Sequence, residues 1–309
     1  MRVVFMGTPE FSVPCLARLL ADGYEVVGVF TQPDKPKGRG NQVTPPPVKV
    51  FALEHGVPVF QPRSMRDGEA MQILRQLQPE LVVVTAFGKI LPQEVLEFPK
   101  YGCINIHASL LPRYRGAAPI QWAVLNGETV SGVTSMQMDV GLDTGDMLLQ
   151  RETAIDEDMT AGELHDVLSV LGAEVLSETL AALQSGTLHP EKQDDALSNY
   201  APMLTKEMSR IDFTKPAAAV HDHIRGLSPW PTASLVADGK TLKVHRSARC
   251  ADAGGLPGEV MESGRRLVIS CGDGRCVELL TVQAEGKKAM TAADYLRGNP
   301  LPKGTILNS

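Results

Sequence analysis

The chain contains 309 residues, of which 43% are apolar and 21% charged, and this length predicts two domains that each have a hydrophobic core. No apolar run is long enough to cross a bilayer and no signal-peptide pattern is present, so we expect a cytoplasmic protein with no membrane partner. The five cysteines lack metal-ligand or paired spacing, which predicts reduced thiols and no metal site.

Charge is unevenly distributed along the chain. The net charge of −6 argues, taken alone, against a nucleic-acid partner. Residues 1–200 carry 15 basic and 25 acidic side chains, whereas residues 201–309 carry 15 basic and 11 acidic ones. The surplus of +4 in the second part predicts contact with an anionic partner, and chance variation among solvated charges is the alternative.

The first half of the sequence alternates short apolar runs with segments of helical periodicity. The predicted strands are residues 2–6, 24–31, 57–60, 81–86 and 103–107, and the predicted helices are residues 9–21, 48–55, 67–77, 92–98 and 118–125. Residues 133–138 and 146–152 are predicted to form a hairpin that extends the sheet. Apolar strands that alternate with helices are typical of a parallel sheet covered on both faces, so the predicted fold class is α/β, with a Rossmann-like, mostly parallel sheet.

The second half begins with a long helix over residues 160–183, preceded by the capping box of Thr160 and Glu163. We expect the first domain, residues 1–183, to end with this helix. Residues 184–206 are polar and poorly periodic, which predicts a linker. Residues 207–309 contain a short predicted helix at 217–225 and about five short strands with turn signals, which predict a C-terminal OB-like β-barrel domain.

Three polar side chains form a candidate catalytic site. Asn105 and His107 lie two residues apart on a predicted strand, so both side chains point to the same face. Asp143 lies on a loop between Gly141 and Gly145, where the backbone can bend sharply. An amide that donates to an oxyanion, an imidazole base and a carboxylate that orients the base suit acyl transfer.

Each of these residues has an ordinary structural interpretation as well. A histidine on a buried strand is usually a hydrogen-bonded core residue, and an aspartate in a turn usually bonds its own backbone. Asn105 beside His107 weakens the first interpretation, because a buried amide and a buried imidazole together need several hydrogen-bond partners.

Residues 32–49 form a long segment with cations among glycines and prolines. Lys35, Lys37 and Arg39 lie there within an otherwise acidic domain. A loop of this length in a compact domain is usually functional or disordered. Neutralisation of phosphates is one interpretation, and a solvated surface insertion is the other.

Other familiar site types are not indicated. Gly7-Thr8-Pro9 after the first strand lacks the further glycines of a dinucleotide fingerprint, and no Walker motif is present. The spacing of Asp139, Asp143 and Asp146 does not match a calcium loop. Ser109 lacks the flanking glycines of a hydrolase nucleophile elbow.

Several motifs of the sequence occur together in one known family. They are Asn105-Ile106-His107, Ser109-Leu110-Leu111-Pro112, Arg115-Gly116-Ala117-Ala118-Pro119-Ile120-Gln121 and Asp139-Val140-Gly141-Leu142-Asp143-Thr144-Gly145, with further matches at residues 5–9, 29–34, 38–40, 210–212 and 229–231. In these motifs the chain resembles the folate-dependent formyltransferases over most of its length. Asn41 and Gln42 depart from the family, which often has basic residues there.

The resemblance implies transfer of a formyl group from 10-formyltetrahydrofolate to the α-amino group of methionyl initiator tRNA, for translation initiation. It assigns catalysis to residues matching Asn105, His107 and Asp143. It assigns folate contact to the stretch Ser109, Leu110, Leu111 and Pro112.

The same resemblance makes initiator methionyl-tRNA the expected partner. Its contacts are then expected at Lys35, Lys37 and Arg39 and on the C-terminal barrel. No metal is required for this chemistry, and we expect the chain to act as a monomer.

Three alternatives remain open from the residues alone. A formyltransferase for glycinamide ribonucleotide or an amino sugar would leave residues 207–309 without a role. A hydrolase that releases formate from the same folate would also leave them unexplained. A non-catalytic RNA-binding protein would leave the three candidate catalytic residues unexplained.

Overall fold

The structure is a computed structural model that describes residues 1–37 and 42–307. The chain forms two compact units. The first unit consists of Met1–Gly116, Gly132–Thr153 and His165–Tyr200, and the second of Ala117–Ser131, Ala154–Leu164 and Ala201–Ser309. The division into residues 1–183, 184–206 and 207–309 stays a prediction, since the second unit also includes two short segments that precede residue 184.

The longer helices and strands follow the order expected from the sequence. The helices are α1 (Val13–Ala21), α2 (Pro47–Glu54), α3 (Glu69–Leu77), α4 (Gln93–Leu96), α5 (Pro119–Leu125), α6 (Ala161–Ser185), α7 (Ala217–Gly226) and α8 (Ala292–Gly298). The strands up to residue 201 are β1 (Arg2–Gly7), β2 (Glu25–Phe30), β3 (Lys35–Lys37), β4 (Gln42–Thr44), β5 (Val59–Phe60), β6 (Leu81–Thr85), β7 (Cys103–His107), β8 (Arg115–Gly116), β9 (Val130–Gln137), β10 (Met147–Ala154) and β11 (Tyr200–Ala201). The later strands are β12 (Ala233–Ala237), β13 (Lys240–Ala253), β14 (Val260–Ser263), β15 (Leu267–Ser270), β16 (Arg275–Ala284) and β17 (Met290–Thr291).

The first unit contains a seven-stranded sheet in the order β10-β9-β7-β6-β1-β2-β5. The pairs from β7 to β5 are parallel, and β9 joins β7 antiparallel. Every residue of β6 is buried, as a central strand with both faces covered requires. The sheet therefore confirms the predicted α/β class, including the antiparallel hairpin at its edge.

Helix α6 covers one face of this sheet. It begins directly after Thr160, whose backbone N–H donates to the Glu163 carboxylate (2.9 Å) while the Glu163 N–H donates to the Thr160 hydroxyl (3.2 Å). This is the predicted capping box, and the Thr160 N–H holds the pKa of Glu163 below its usual range. Further along, a Cβ at Gly172 would lie 3.1 Å from Ile106 Cγ2, so α6 lies close against β7.

The second unit contains an antiparallel sheet in the order β12-β13-β16-β15-β14, with β17 paired to β16. The long strand β13 pairs with β12 through residues 240–244 and with β16 over most of its length. Asp238 and Gly239 both have positive φ (48° and 73°), which is the geometry of a two-residue hairpin turn between β12 and β13. The predicted C-terminal β domain is thus confirmed as an antiparallel sheet. Within the ranges that the structure describes, none of the helices combines the length and apolar character needed to span a membrane.

Candidate active site

Strand β7 positions the first two candidate residues. Its backbone pairs with β6 on one side, where Asn105 lies opposite Val84, and with β9 on the other, where His107 lies opposite Thr134. Because side chains alternate along a strand, Asn105 and His107 share the face opposite Ile106. His107 is buried and Asn105 is half-buried, so both side chains are held by an ordered strand of the sheet.

The ring orientation of His107 is fixed by a backbone carbonyl. His107 Nε2 lies 3.0 Å from the carbonyl oxygen of Tyr114. Because a carbonyl only accepts, Nε2 must carry the hydrogen. In the neutral imidazole the lone pair is therefore on Nδ1, and this atom lies 3.7 Å from Asp143 Oδ2.

Asp143 is held in place by its neighbours. Its Oδ2 accepts a hydrogen bond of 2.8 Å from the Gly116 N–H, and its backbone has a left-handed φ of 54°. A Cβ at Gly145 would lie 1.7 Å from the Gln137 carbonyl oxygen, so this glycine is required by a close approach of the loop to its own chain. Asp139 also shapes the loop, since its Oδ1 accepts from the Gly141 N–H (3.0 Å) and the Thr144 hydroxyl (2.7 Å).

Asn105 supplies the remaining polar group on this face. Within the described ranges its carboxamide makes no hydrogen bond to another protein group. Its two N–H donors are therefore available to a ligand, beside a base and a carboxylate. Such an arrangement can stabilise an oxyanion while a proton moves to His107.

The stretch Ser109–Pro112 follows β7 and is anchored to the hairpin. Thr134 Oγ1 accepts from the Leu111 N–H (3.1 Å) and donates to the Ser109 carbonyl (2.6 Å). Gln150 Nε2 donates to the Leu111 carbonyl (2.8 Å) and to Thr134 Oγ1 (2.9 Å). Ser109 Oγ itself donates to the Arg113 carbonyl, so the polar groups of this turn are largely used within the protein.

Two family profiles match the chain. The profile described as Formyl transferase matches residues 1–180, and the profile described as Formyl transferase, C-terminal domain, matches residues 203–300. The chain belongs to the formyltransferase family. The membership predicted from the motifs is therefore confirmed.

Relatives of this formyltransferase align with nearly the whole chain. The methionyl-tRNA formyltransferase of Geotalea uraniireducens is 54% identical over 308 residues, covering 99% of this chain and 98% of the relative. The methionyl-tRNA formyltransferase of Caldanaerobacter subterraneus subsp. tengcongensis is 53% identical over 309 residues, covering 99% of this chain and 100% of the relative.

Solved structures share the fold of this formyltransferase at low sequence identity. WlaRD, a sugar 3N-formyl transferase, has a TM-score of 0.71 at 21% identity, covering 93% of this chain and 99% of that one. The N-formyltransferase from Helicobacter canadensis has a TM-score of 0.70 at 21% identity, covering 91% and 98%. At such identities the likeness concerns the fold alone.

The predicted tRNA-binding cations of this formyltransferase are only partly described. Lys35 is exposed, and its Nζ donates to Gln32 Oε1 (2.8 Å). Arg39 and the side chain of Lys37 lie outside the described residues. Lys49, a further cation of the same segment, is occupied by an ion pair with Asp34 (2.8 Å), and this contact lowers the pKa of Asp34.

The thiol of Cys103, two residues before Asn105 in the sequence, is not a nucleophile. Cys103 begins strand β7 and is fully buried, and burial raises its pKa to about 12. It therefore stays protonated at neutral pH and offers no thiolate.

Several partners of the candidate residues are not indicated by the sequence. The Tyr114 carbonyl and the Gly116 N–H act through the backbone, which no side-chain pattern reveals. Gln193 donates to the carbonyls of Asp143 (2.8 Å) and Gly145 (2.7 Å), but it lies in the segment predicted as a linker. The only sequence signal among them was Gly116, which lies within a family motif.

Proposed function

We propose that this formyltransferase transfers a formyl group from 10-formyltetrahydrofolate to the α-amino group of methionyl initiator tRNA, for translation initiation. The observation that carries the chemistry is the His107–Asp143 pair, in which the unprotonated Nδ1 faces the carboxylate. The acceptor follows from the full-length relatives, which are named methionyl-tRNA formyltransferases.

The first step is attack of the neutral amine on the formyl carbon. A C–N bond forms, and the formyl oxygen becomes an oxyanion. The free N–H groups of Asn105 donate to this oxygen, and such a donor typically contributes about 10²–10³ in rate. The strand fixes Asn105 before the substrate arrives, so little reorganisation is needed.

Proton transfer accompanies this attack. His107 Nδ1 takes the proton that the amine loses, because Nε2 is already occupied by its bond to Tyr114. The imidazolium is stabilised by the Asp143 carboxylate at 3.7 Å. The same proton then passes to N10 of tetrahydrofolate as the C–N10 bond breaks, so His107 returns to its starting state.

Ser109–Pro112 is the proposed folate-contacting stretch. Because Thr134 and Gln150 hold its backbone, the turn offers a preformed surface to the donor. The half-buried side chains of Leu110 and Pro112 supply apolar contact area on this turn.

Lys35, Lys37 and Arg39 and the C-terminal sheet are proposed to contact the tRNA backbone. The supporting observation is charge, since residues 201–309 have a net charge of +4 in a chain of net charge −6. The side chain of Lys35 is exposed. We place the OB-like tRNA-binding domain at residues 207–309.

A monomer in the cytoplasm is the proposed working form. All five cysteines are unpaired thiols, which suits a reducing compartment. Light scattering after gel filtration tests the oligomeric state, and a mass near 33.3 kDa is the expected result, whereas twice that mass would contradict it.

The acceptor is tested by incubating the protein with 10-formyltetrahydrofolate and one acceptor at a time. The acceptors are methionyl initiator tRNA, glycinamide ribonucleotide, an amino-sugar nucleotide and water. We expect formylated methionyl-tRNA as the dominant product. Formate release without labelling of any acceptor would refute the transferase, and formylation of a small acceptor alone would refute the tRNA substrate.

A further inference from the structure

One segment of the first unit forms hydrogen bonds to the Asp143 loop and to Tyr114, whose carbonyl accepts from His107. We call residues 191–199 the bracing segment. It begins at Glu191, which forms a pair of backbone hydrogen bonds with Met147, each 2.8 Å long. This ladder contact fixes the segment beside the strand that follows the Asp143 loop.

Gln193 braces the Asp143 loop. Its Nε2 donates to the carbonyl oxygens of Asp143 (2.8 Å) and Gly145 (2.7 Å), and its Oε1 accepts from Arg115 Nε (2.9 Å). Arg115 is in turn paired with Asp195 of the same segment (2.8 Å). Both amide hydrogens and the amide oxygen of Gln193 are therefore used, which fixes the carboxamide in one orientation.

Asn199 braces the partner of His107. Its Oδ1 accepts from the Tyr114 N–H (2.5 Å), and its backbone carbonyl accepts from the Arg115 N–H (3.1 Å). Tyr114 is the residue whose carbonyl accepts from His107 Nε2. The orientation of the imidazole thus depends on the backbone of Tyr114, which Asn199 binds on both sides.

The two braced residues share an unfavourable backbone conformation. Tyr114 has φ 60° and Asp143 has φ 54°, both in the left-handed region that side chains other than glycine rarely adopt. Residues in such a conformation are strained and persist only where the surroundings fix them. The bracing segment supplies a side-chain hydrogen bond to the backbone of each one.

We propose that Gln193 and Asn199 are positioning residues, which keep His107 Nδ1 and Asp143 Oδ2 facing each other for proton transfer. The expected loss of activity in the variants rests on the proposed function. An active-site role is thereby assigned to a segment that the sequence predicts to be only a linker.

The first test compares variants of the bracing amides. Gln193→Glu keeps the acceptor for Arg115 but has neither donor, and Gln193→Leu can form none of the three hydrogen bonds. We expect each to lower kcat by about 10- to 100-fold, with a much smaller change in KM, because a displaced base is misaligned rather than absent. Gln93→Leu is the matched control, since the exposed Gln93 carboxamide donates to Glu97, the residue that follows α4, and it should leave kcat unchanged.

Two substitutions of Asn199 distinguish a loss of positioning from a simple folding defect. Asn199→Asp retains an oxygen that accepts from the Tyr114 N–H, whereas Asn199→Ala does not. We expect Asn199→Asp to keep most of the wild-type kcat and Asn199→Ala to lose it, with similar melting temperatures. Equal activity of the two variants would contradict the proposed role of Asn199.

A double-mutant cycle separates positioning from general damage. If Gln193 acts through Asp143, the change Gln193→Leu should cost little further activity in an Asp143→Asn background. The inference is overturned if the full loss is repeated in that background, or if Gln193→Leu alone matches the wild type.

A spectroscopic readout is independent of the substrate. In ¹⁵N–¹H spectra of the free protein, we expect the His107 Nε2–H signal to broaden or shift in Gln193→Leu and Asn199→Ala but not in Gln93→Leu. Unchanged spectra would overturn the bracing role even if methionyl-tRNA proved not to be the acceptor. Lack of formylation by the wild type would instead refute the proposed function alone.

Discussion

The chemistry depends at the residue scale on which nitrogen of His107 carries a hydrogen. The Tyr114 carbonyl determines this, because it accepts from Nε2 at 3.0 Å and leaves Nδ1 free. The free nitrogen is also the one that faces Asp143, 3.7 Å away. The pair is therefore arranged to accept a proton at one defined atom.

A direct prediction concerns the tautomer of His107. In ¹⁵N spectra of the free protein at a pH where the ring is neutral, we expect a protonated Nε2 and an unprotonated Nδ1. His107→Gln assigns the signal by removing it. A neutral ring with hydrogen on Nδ1 would contradict the proton path through this atom.

Asn105→Ala is predicted to slow the chemical step. The variant lacks the N–H donors that stabilise the oxyanion, so kcat should fall by about 10²–10³ with little change in KM. Steady-state formylation assays measure both constants, and Gln93→Ala serves as a control for removal of an exposed carboxamide. A rise in KM with unchanged kcat would place Asn105 in substrate binding instead.

The sequence was sufficient to place Asn105 and His107 on one face, because strand periodicity is a local property. It also placed Asp143 in a sharp loop between glycines. It could not reveal Tyr114, Gly116 or Gln193 as partners, since their contacts depend on the tertiary path of irregular backbone. Gln193 lies 50 residues beyond Asp143 in a polar, aperiodic segment.

At the scale of elements, α6 and β7 form the framework of the site. Ile106 faces the helix near Gly172, while its neighbours Asn105 and His107 face the opposite side. Burial of the apolar face of α6 therefore fixes the strand without blocking the candidate site. Helix α6 therefore stabilises β7 from the face opposite the candidate site.

Core packing of α6 leads to a stability prediction. Leu176 is fully buried, so Leu176→Ala should lower the free energy of unfolding by about 2–5 kcal/mol. Val170 on the same helix is 57% exposed, so Val170→Ala should change it by about 0.5 kcal/mol or less. Urea unfolding of both variants measures the difference, and equal losses would show that α6 is not packed as described.

Elements with strong local signals were predicted well. The strands β1, β6 and β7, the capping box of α6 and the Asp238-Gly239 turn all follow from periodicity or turn chemistry. The sequence pattern does not predict the β3–β4 hairpin or helix α8. The hairpin strands are only three residues long. Helix α8 buries only Ala292, Tyr295 and Leu296, which are too few apolar positions for a clear period.

The start of the first α-helix differs from its predicted position for a local reason. The predicted helix at residues 9–21 is a 3-10 turn at Glu10–Ser12 followed by α1 from Val13. Pro14 lies in the first turn of α1, where its missing N–H has no intrahelical partner to lose. The apolar periodicity alone could not distinguish the two helix types.

At the scale of the whole molecule, binding of a polyanion by an acidic chain requires local basic surfaces. We propose that residues 201–309, with their surplus of +4, and the cations of segment 32–49 supply these surfaces. Such contacts are made to phosphates. They should therefore appear as a salt dependence of tRNA binding and not as a preference for particular RNA sequences.

The salt dependence of tRNA binding tests the cations of segment 32–49. Replacing Lys35, Lys37 and Arg39 with alanine should reduce the slope of log affinity against log salt by about 0.7–0.9 for each phosphate that is no longer neutralised. A control triple variant, Arg66→Ala, Arg75→Ala and Lys100→Ala, removes the same charge from other exposed positions of the first unit. An unchanged slope in the first variant, or equal reductions in both, would exclude specific phosphate binding by this segment.

The most direct measurement is single-turnover transfer from 10-formyltetrahydrofolate labelled in the formyl group, with charged initiator tRNA and enzyme in excess. We predict that the label appears on the methionyl α-amine, and that Asp143→Asn slows this step by about 10²- to 10⁴-fold while tRNA binding is retained. Loss of the label as formate at a rate independent of tRNA, or transfer by Asp143→Asn at the wild-type rate, would contradict formyl transfer by the His107–Asp143 pair.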